Sequence, residues 1–319
     1  MDALQHLENF LQSLVAGLLT GTNYGLMCVG LTVIFGVMRV INFAQGEFMM
    51  LGMYFAFYCF GFIGAHIFFG DMIAPFLSAL LAGPAVFLLG VLLHKALVSR
   101  VTGLGGSKLE AEGHYAQLIL TLGISLVLQN GGLFVFGSAP QSIATELSYS
   151  AWEVGPLYED RVLMFVNQAQ TISALVALGV VAGFALLMAR SRLGRSLRAA
   201  ADNPRAAVYM GVDVDRAYRI AFGLGVAITA IGGGLLAVNY PFQPYVGLEF
   251  VIIMYAGVVL GGLGSVRGAF LGGLTIGLVQ QLSTLVLPNQ LQNTAIFVVF
   301  LAIILLKPEG LFGRVARKA

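Results

Sequence analysis

The sequence predicts an all-α fold, a polytopic bundle of about nine membrane-spanning helices. The chain has 319 residues, of which 58% are hydrophobic and only 10% charged, whereas an average soluble domain is about 25% charged. Apolar runs of about 20 residues, the length that crosses a hydrocarbon core, recur from one end to the other. They leave no stretch for a separate soluble domain, so we expect one membrane domain over residues 1–319.

The individual spans follow from the apolar runs and the polar breaks between them. The runs predict spans at 11–38, 47–64, 73–94, 115–136, 162–189, 217–239, 248–264, 268–287 and 292–306. The segments between about 250 and 287 are short and rich in glycine, which leaves eight or ten spans as alternatives.

The distribution of Lys and Arg predicts the orientation of the chain, because short loops rich in these residues stay on the cytoplasmic side. With the N-terminus outside, the inside connections carry 16 of the 17 Lys and Arg residues, and only Arg161 falls on an outside connection. This distribution predicts an outside N-terminus, a cytoplasmic C-terminus and an odd number of spans. The two cysteines and four histidines are scattered without the spacing of metal ligands, so no metal site is predicted.

The stretch "VINFAQGEF", residues 40–48, places polar side chains between two long apolar runs. Asn42, Gln45 and Glu47 would be costly in contact with lipid, so at membrane depth they must face the bundle interior or a water-filled path. The stretch is therefore either a cytoplasmic turn or a break within the membrane of the kind that builds transporter sites. Gly46 would permit the close backbone approach that such a break needs.

Three further residues are candidates for the same path. Gln129 and Asn130 end the apolar run "LILTLGISLVLQN". Their side chains could equally form hydrogen bonds between helices or contact the cargo. Gly268 begins a Gly-x-Phe pattern, Gly268 to Phe270, that also occurs at Gly46 to Phe48. This recurrence predicts a weak internal pseudo-repeat with broken helices, although glycines at such positions also serve close helix packing.

The longest basic loop, residues 190–216, contains a short helix with its own start and stop signals. Asp202 or Asn203 would be the N-cap, Pro204 the first helical residue, "RAAVYM" the body and Gly211 the stop. A helix this short is not stable alone in water, so it must pack on the membrane domain or on a cytoplasmic partner.

The exposed face of this helix would combine Arg205, Tyr209 and Met210, a mixed apolar and cationic surface that suits a groove. The alternative is a loop whose arginines only fix the topology or contact anionic lipid.

Four separated motifs resemble one family. "LGRSLRAAADNPRAAVYMGVDVDR" is similar to the cytoplasmic loop of bacterial ABC importer permeases, and "VINFAQGEFMMLGMY" resembles the signature of branched-chain amino acid permeases. "LILTLGISLVLQN" and "GVVLGGLGSVRGAFLGGLTIG" fit the same family, in the same order. The chain is thus identified as a member of the branched-chain amino acid ABC transporter permease family, of the shorter LivH type.

This resemblance implies a transport subunit of the bacterial inner membrane that is not itself an enzyme and holds no cofactor. Its expected partners are a second permease of the LivM type, two ABC ATPases that bind ATP and Mg, a periplasmic substrate-binding protein and membrane lipid, with no nucleic acid. The basic loop would couple the permease to the ATPases. The coupling residues would be Arg195, Arg198, Asn203, Pro204, Arg205, Tyr209, Met210 and Gly211.

One position departs from the family pattern, because many members have His where this chain has Gln45. The amide cannot be protonated, and the family also serves amides, urea and aromatic acids, so the cargo stays open among these and branched-chain or other hydrophobic amino acids.

Two other functional classes compete with the importer. An ion-coupled carrier usually holds an ionisable group at midplane, and Glu47 is the candidate here. The phosphate loop "GxxxxGK[ST]" is missing from the sequence, which puts ATP chemistry on another chain. An intramembrane enzyme would need a cluster of His, Asp, Glu or Cys, which the sequence does not suggest.

Overall fold

A computed structural model describes residues 2–66, 70, 72–102, 110–157, 162–307 and 310–311 of the chain. The helices are α1 (Asp2–Met38), α2 (Gln45–His66), α3 (Ala74–Leu93), α4 (Ser99–Thr102), α5 (Glu110–Phe136), α6 (Glu146–Tyr149), α7 (Gln168–Arg190), α8 (Arg192–Asp202), α9 (Pro204–Tyr209), α10 (Val214–Leu236), α11 (Val246–Gly261), α12 (Val266–Ser283) and α13 (Gln292–Leu306). A π-helical turn, His94–Val98, joins α3 to α4, and a 3-10 turn, Asn289–Leu291, precedes α13.

The chain is a polytopic helical membrane protein. Among the described residues, six helices are long and apolar enough to cross a membrane, namely Gln5–Met38, Gln45–Ile63, Ala74–Val101, Tyr115–Phe136, Gln168–Arg190 and Val214–Leu236. The remaining apolar helices α11, α12 and α13 have 16, 18 and 15 residues. The predicted fold class is thereby confirmed in outline, and the count of nine spans stays a prediction.

The predicted span 162–189 starts too early. Val162–Asn167 is a β-strand, β2, which pairs in antiparallel fashion with β1, Ala151–Leu157. The helix begins only at Gln168, where the Asn167 side chain accepts a hydrogen bond from the Gln170 backbone N–H at 2.9 Å. A short apolar run such as "VLMFV" fits a strand as well as a helix end, and only the pairing with β1 decides between them.

Helix α1 lies at the centre of the bundle and packs against α12, α10 and α7. The approach to α12 is close because glycines face each other, Gly25 against Gly273 and Gly21 against Gly277, with no room for a Cβ on either side. Small residues at such crossings let helix backbones approach closely in membranes. This contact fixes α12 along α1 and leaves α10 to pack on another face.

Several residues that entered the orientation argument lie outside the described residues. They are Lys108, Arg161, Arg314, Arg317 and Lys318. The predicted orientation therefore stays a prediction.

Candidate functional site

The polar stretch 40–48 lies inside the helix bundle. Helix α1 ends at Met38, and Arg39 takes a positive φ of 54° before the chain turns back. The Gln45 side chain donates to the Thr229 hydroxyl at 2.5 Å and to the Gly225 carbonyl at 3.3 Å, both near the middle of α10. Helix α2 thus begins beside the middle of α10 and not at the end of the bundle, which favours a break over a surface turn.

A network of amide hydrogen bonds holds this break. Asn42 donates from its side chain to Gln45 Oε1 at 2.8 Å, and the Asn42 Oδ1 atom accepts from the Ala44 backbone N–H at 3.2 Å. Both amide side chains are fully buried, with 0% exposure. The Phe43 backbone N–H donates to the Thr121 hydroxyl on α5 at 3.4 Å. Buried polar groups need such partners, so the network explains why the two amide side chains are tolerated here.

The start of α2 meets the start of α11. A Cβ on Gly46 would overlap the carbonyl oxygen of Gly247 and would lie 2.6 Å from its carbonyl carbon. Beside this contact Phe43, which precedes α2, packs against Tyr255 in α11 with ring centroids 5.5 Å apart. The two helices therefore start side by side and run in opposite directions, an arrangement seen where discontinuous helices build transport sites.

Glu47 lies at the meeting point of these two helix starts. It stands in the first turn of α2, and a Cβ on Gly247 would lie 2.6 Å from Glu47 Oε1 and 2.7 Å from Oε2. Helix N-termini carry partial positive charge, which favours a carboxylate there. Ser125 donates to Glu47 Oε1 at 3.4 Å. Within the described part of the chain, Oε2 has no hydrogen-bond partner although the residue is only 1% exposed.

The other predicted path residues are not part of this meeting point. Gln129 is buried and lies one helical turn beyond Ser125 on α5. Asn130 is exposed and donates to the Leu126 carbonyl of its own helix at 2.7 Å. Gly268 packs against Gly261, whereas Gly46 packs against Gly247.

Sequence reasoning missed the partners of the polar stretch, which are Gly247, Thr229 and Ser125. Thr229 and Ser125 lie within otherwise apolar helices and give no local signal. For Gly247 a signal existed, since "VGLEF" at 246–250 repeats the Gly, Glu and Phe of "QGEF" with one residue inserted. The structure places Gly46 against Gly247, and the repeat suggested between 46–48 and 268–270 stays a prediction.

The basic loop folds as its start and stop signals predict. Asn203 is the N-cap of α9, since its Oδ1 atom accepts from the Ala206 backbone N–H at 3.0 Å, while Asp202 ends α8. Pro204 is the first helical residue, and Gly211 follows the helix with a φ of 78°.

Two backbone hydrogen bonds close the C-terminal end of α9. The Gly211 N–H donates to the Val208 carbonyl at 2.9 Å, and the Val212 N–H donates to the Ala207 carbonyl at 2.9 Å. This pair is a Schellman motif, which needs a residue with positive φ at Gly211. The short helix is thereby capped at both ends.

Helices α8 and α9 each bury one face and expose another. Gly194, Leu197 and Ala200 of α8 are buried, and so is Ala207 of α9. On the opposite face Tyr209 and Met210 are 89% and 83% exposed, and Arg205 is exposed as well. The predicted mixed apolar and cationic surface therefore exists on the outside of the folded chain.

The two arginines predicted to flank this surface behave differently. Arg195 is exposed on α8, whereas Arg198 folds back and donates to the carbonyl of Met188 at the end of α7. Arg198 therefore ties α8 to the bundle, while Arg195 faces outward.

These features together define a polytopic membrane protein with a helix break inside the bundle and a capped basic loop at one end. The comparison with known proteins then specifies the class. A family model described as branched-chain amino acid transport system, permease component, matches residues 13–306, and the chain belongs to this family.

Its relatives cover nearly the whole chain. It is 28% identical over 306 residues to the high-affinity branched-chain amino acid transport system permease protein LivH of Escherichia coli K12, covering 96% of each chain. It is 28% identical over 312 residues to the corresponding permease protein BraD of Pseudomonas aeruginosa, covering 98% of each. The probable LivH of Methanocaldococcus jannaschii is 27% identical over 297 residues, covering 90% of this chain and 88% of the relative. No solved structure matches the chain significantly.

Proposed function

We propose that this chain is a permease subunit of an ABC importer that moves branched-chain amino acids across the cell membrane. Support comes from the family match over residues 13–306 and from relatives that are named as branched-chain amino acid permeases. The importer would also contain a second permease of the LivM type, two ATPases that bind ATP and Mg, and a substrate-binding protein outside. In this scheme the chain forms one wall of the path and hydrolyses nothing itself.

In this proposal the chain crosses the membrane nine times within one domain, residues 1–319. Helix α12 supports the count because it lies along α1 over about two helical turns, from the Gly25 to the Gly17 level. A 15-residue helix such as α13 spans about 22 Å, less than a typical hydrocarbon core of about 30 Å, so the bilayer would be thinner there. The N-terminus would lie outside and residues 190–216 in the cytoplasm, as the Lys and Arg residues suggest.

The break at 40–48 would form part of the path wall, with Asn42, Gln45, Gly46 and Glu47 contributed by the start of α2 and the turn before it, and with Gln129, Asn130 and Gly268 as further candidates. The amides of Asn42 and Gln45 are bonded within the chain, so they would position the break. Glu47 keeps one carboxylate oxygen without a partner in the described residues. That oxygen could accept a hydrogen bond from the ammonium group of an amino acid.

The proposal of ATPase coupling rests on one observation, that α9 is held on the bundle with one face exposed. Its Asn203 cap, its Gly211 stop and buried Ala207 fix the helix on the bundle, while Tyr209 and Met210 stand out from the surface. Exposed aromatic and Met side chains with an arginine are enriched where proteins dock. We therefore assign α9 to a groove on an ATPase subunit, with Arg195 beside it and Arg198 holding α8 in place.

The coupling surface can be tested by introducing carboxylates into it. Tyr209→Asp combined with Met210→Asp should abolish co-purification of the ATPase subunits and ATP-driven uptake, because an apolar contact would be replaced by buried carboxylates. Arg192→Asp is the matched control, since Arg192 is exposed on the same loop but lies outside α9. Retained co-purification and uptake in the double variant would refute the assignment of α9.

The transport class is tested with vesicles that contain this chain and its co-encoded subunits. We expect uptake of radiolabelled leucine with ATP on the ATPase side and an added binding protein, and none with a proton gradient alone. Uptake driven by the gradient without ATP would overturn the importer and make Glu47 the coupling group of a carrier. ATP-driven uptake of urea, amides or aromatic acids in place of leucine would overturn the cargo alone.

A further inference from the structure

We propose that this chain binds one anionic phospholipid in a groove between α1, α7 and α8. The groove has a volume of about 470 Å³ and includes residues from all three helices, from the turn before α12 and from the first two residues of α12. Its charged lining residues are Arg39, Arg198, Arg267 and Asp202. Three guanidinium groups against one carboxylate leave a net positive charge, which suits a phosphate.

The walls of the groove are apolar. They include Val33 and Val37 of α1, Phe184 and Met188 of α7 and Leu197 of α8, and most of these side chains are buried. Thr32 adds one hydroxyl to these walls, but mainly apolar walls offer little to a soluble anion and fit the first methylene groups of an acyl chain. The combination of a cationic end and apolar walls therefore points to a lipid and not to free phosphate.

The position of the groove allows a lipid to enter from the bilayer. Helix α7 is mostly exposed and apolar, and its exposed side chains include Leu175, Leu178 and Leu186. Ala185 lines the groove and is exposed on the same helix. Arg39 follows α1, Arg198 of α8 contacts the end of α7, and Arg267 lies in the first turn of α12, all at the side that the basic loop assigns to the cytoplasm. The cytoplasmic leaflet is rich in anionic lipid, and basic pockets between membrane helices bind such headgroups.

Arg39 is held toward this groove by its backbone. It follows the last residue of α1, and among the described non-glycine residues it alone has a positive φ. Positive φ is disfavoured for a side chain with a Cβ, so the fold maintains this conformation against a local cost. The turn places the guanidinium at the cationic end of the groove.

The groove is separate from the surface assigned to the ATPase. Arg205, Tyr209 and Met210 are not among its lining residues. Helix α8 contributes Leu197 and Arg198 to the groove and continues directly into the cap of α9. A bound lipid would therefore brace the helix that carries the coupling surface, and would not compete with the partner.

Native mass spectrometry of the purified full-length chain, titrated with dioleoyl-phosphatidylglycerol or dioleoyl-phosphatidylcholine, tests the proposal. We expect one phosphatidylglycerol to remain bound, and Arg39→Asn with Arg267→Gln to weaken it about 30-fold, because each arginine near an anionic lipid contributes roughly a fivefold factor. Asn is chosen at position 39 because it tolerates positive φ. Arg192→Gln removes a charge outside the groove and should change the affinity by less than about threefold.

A second pair of variants tests the apolar walls without changing charge. Ala185→Phe fills the groove and should also reduce retention, whereas Ala182→Phe, exposed on the same helix outside the groove, should not. Equal binding of phosphatidylcholine and phosphatidylglycerol would overturn the proposal. So would equal losses in the groove variants and their controls, or displacement of the lipid by millimolar inorganic phosphate.

Discussion

The contact between Gly46 and Gly247, at the start of α2, can be tested directly by the substitution Gly46→Ala. In Gly46→Ala the new Cβ would overlap the Gly247 carbonyl oxygen and lie 2.6 Å from the carbonyl carbon and 3.0 Å from Cα. All three atoms belong to the backbone of α11, so no side-chain rotation can relieve the overlap. Ordinary contact between carbon atoms would need about 1 Å more separation.

The loss of stability in Gly46→Ala follows from the contacts that a separation of α2 from α11 would disturb. Overpacking of a close contact typically costs about 1–3 kcal/mol, and a shift of α2 would also stretch the hydrogen bond from Gln45 to Thr229 at 2.5 Å. We therefore expect Gly46→Ala to lower the unfolding temperature of the purified protein and to reduce leucine uptake at equal membrane abundance. The assay is thermal unfolding in detergent beside vesicle uptake.

Gly61→Ala provides the matched control, because Gly61 lies on the same helix and a Cβ added there would have no atom within 4 Å. There Ala should be neutral or stabilising, since Ala is favoured over Gly in a helix by about 1 kcal/mol. If Gly46→Ala were as stable and active as the unaltered protein, or if both variants lost the same amount, the close contact of α2 with α11 would be refuted.

Three further predictions concern the polar network and the basic loop. Gln45→Leu and Thr229→Val should each destabilise the protein by about 1 kcal/mol and show coupling in a double-mutant cycle, because the two side chains are partners in one hydrogen bond; additive losses in thermal unfolding would contradict this. Asn203→Ala should remove the cap of α9, cost about 1 kcal/mol locally and speed hydrogen exchange at Ala206, with exchange in α10 as the internal control. Gly211→Ala should cost about 1–2 kcal/mol because its φ is 78°, seen as weaker ATPase co-purification, and an unchanged yield would speak against the Schellman stop.

Short-range features could be predicted from the sequence because their partners are a few residues away. Asn203, Pro204 and Gly211 mark the ends of α9 through contacts that span at most five residues along the chain. The cost of polar groups in lipid predicted that Asn42 and Gln45 would face the interior if they lay at membrane depth, and it left a cytoplasmic turn as the alternative. The strand at Val162–Asn167 escaped prediction because its partner strand, Ala151–Leu157, lies outside the apolar run and that run carries no period of its own.

Composition, hydropathy and helix caps are local properties, and they suffice to identify a multi-pass helical membrane protein, to locate its polar stretch at 40–48 and to mark the ends of the short helix in its basic loop. What the break contacts is settled by the folded bundle instead. Gly46 meets Gly247 about 200 residues away, and Glu47 lies at the starts of α2 and α11 together. Such a meeting depends on how α1, α10 and α12 pack around the break, and the packing of helices is a property of the whole bundle that no local pattern contains.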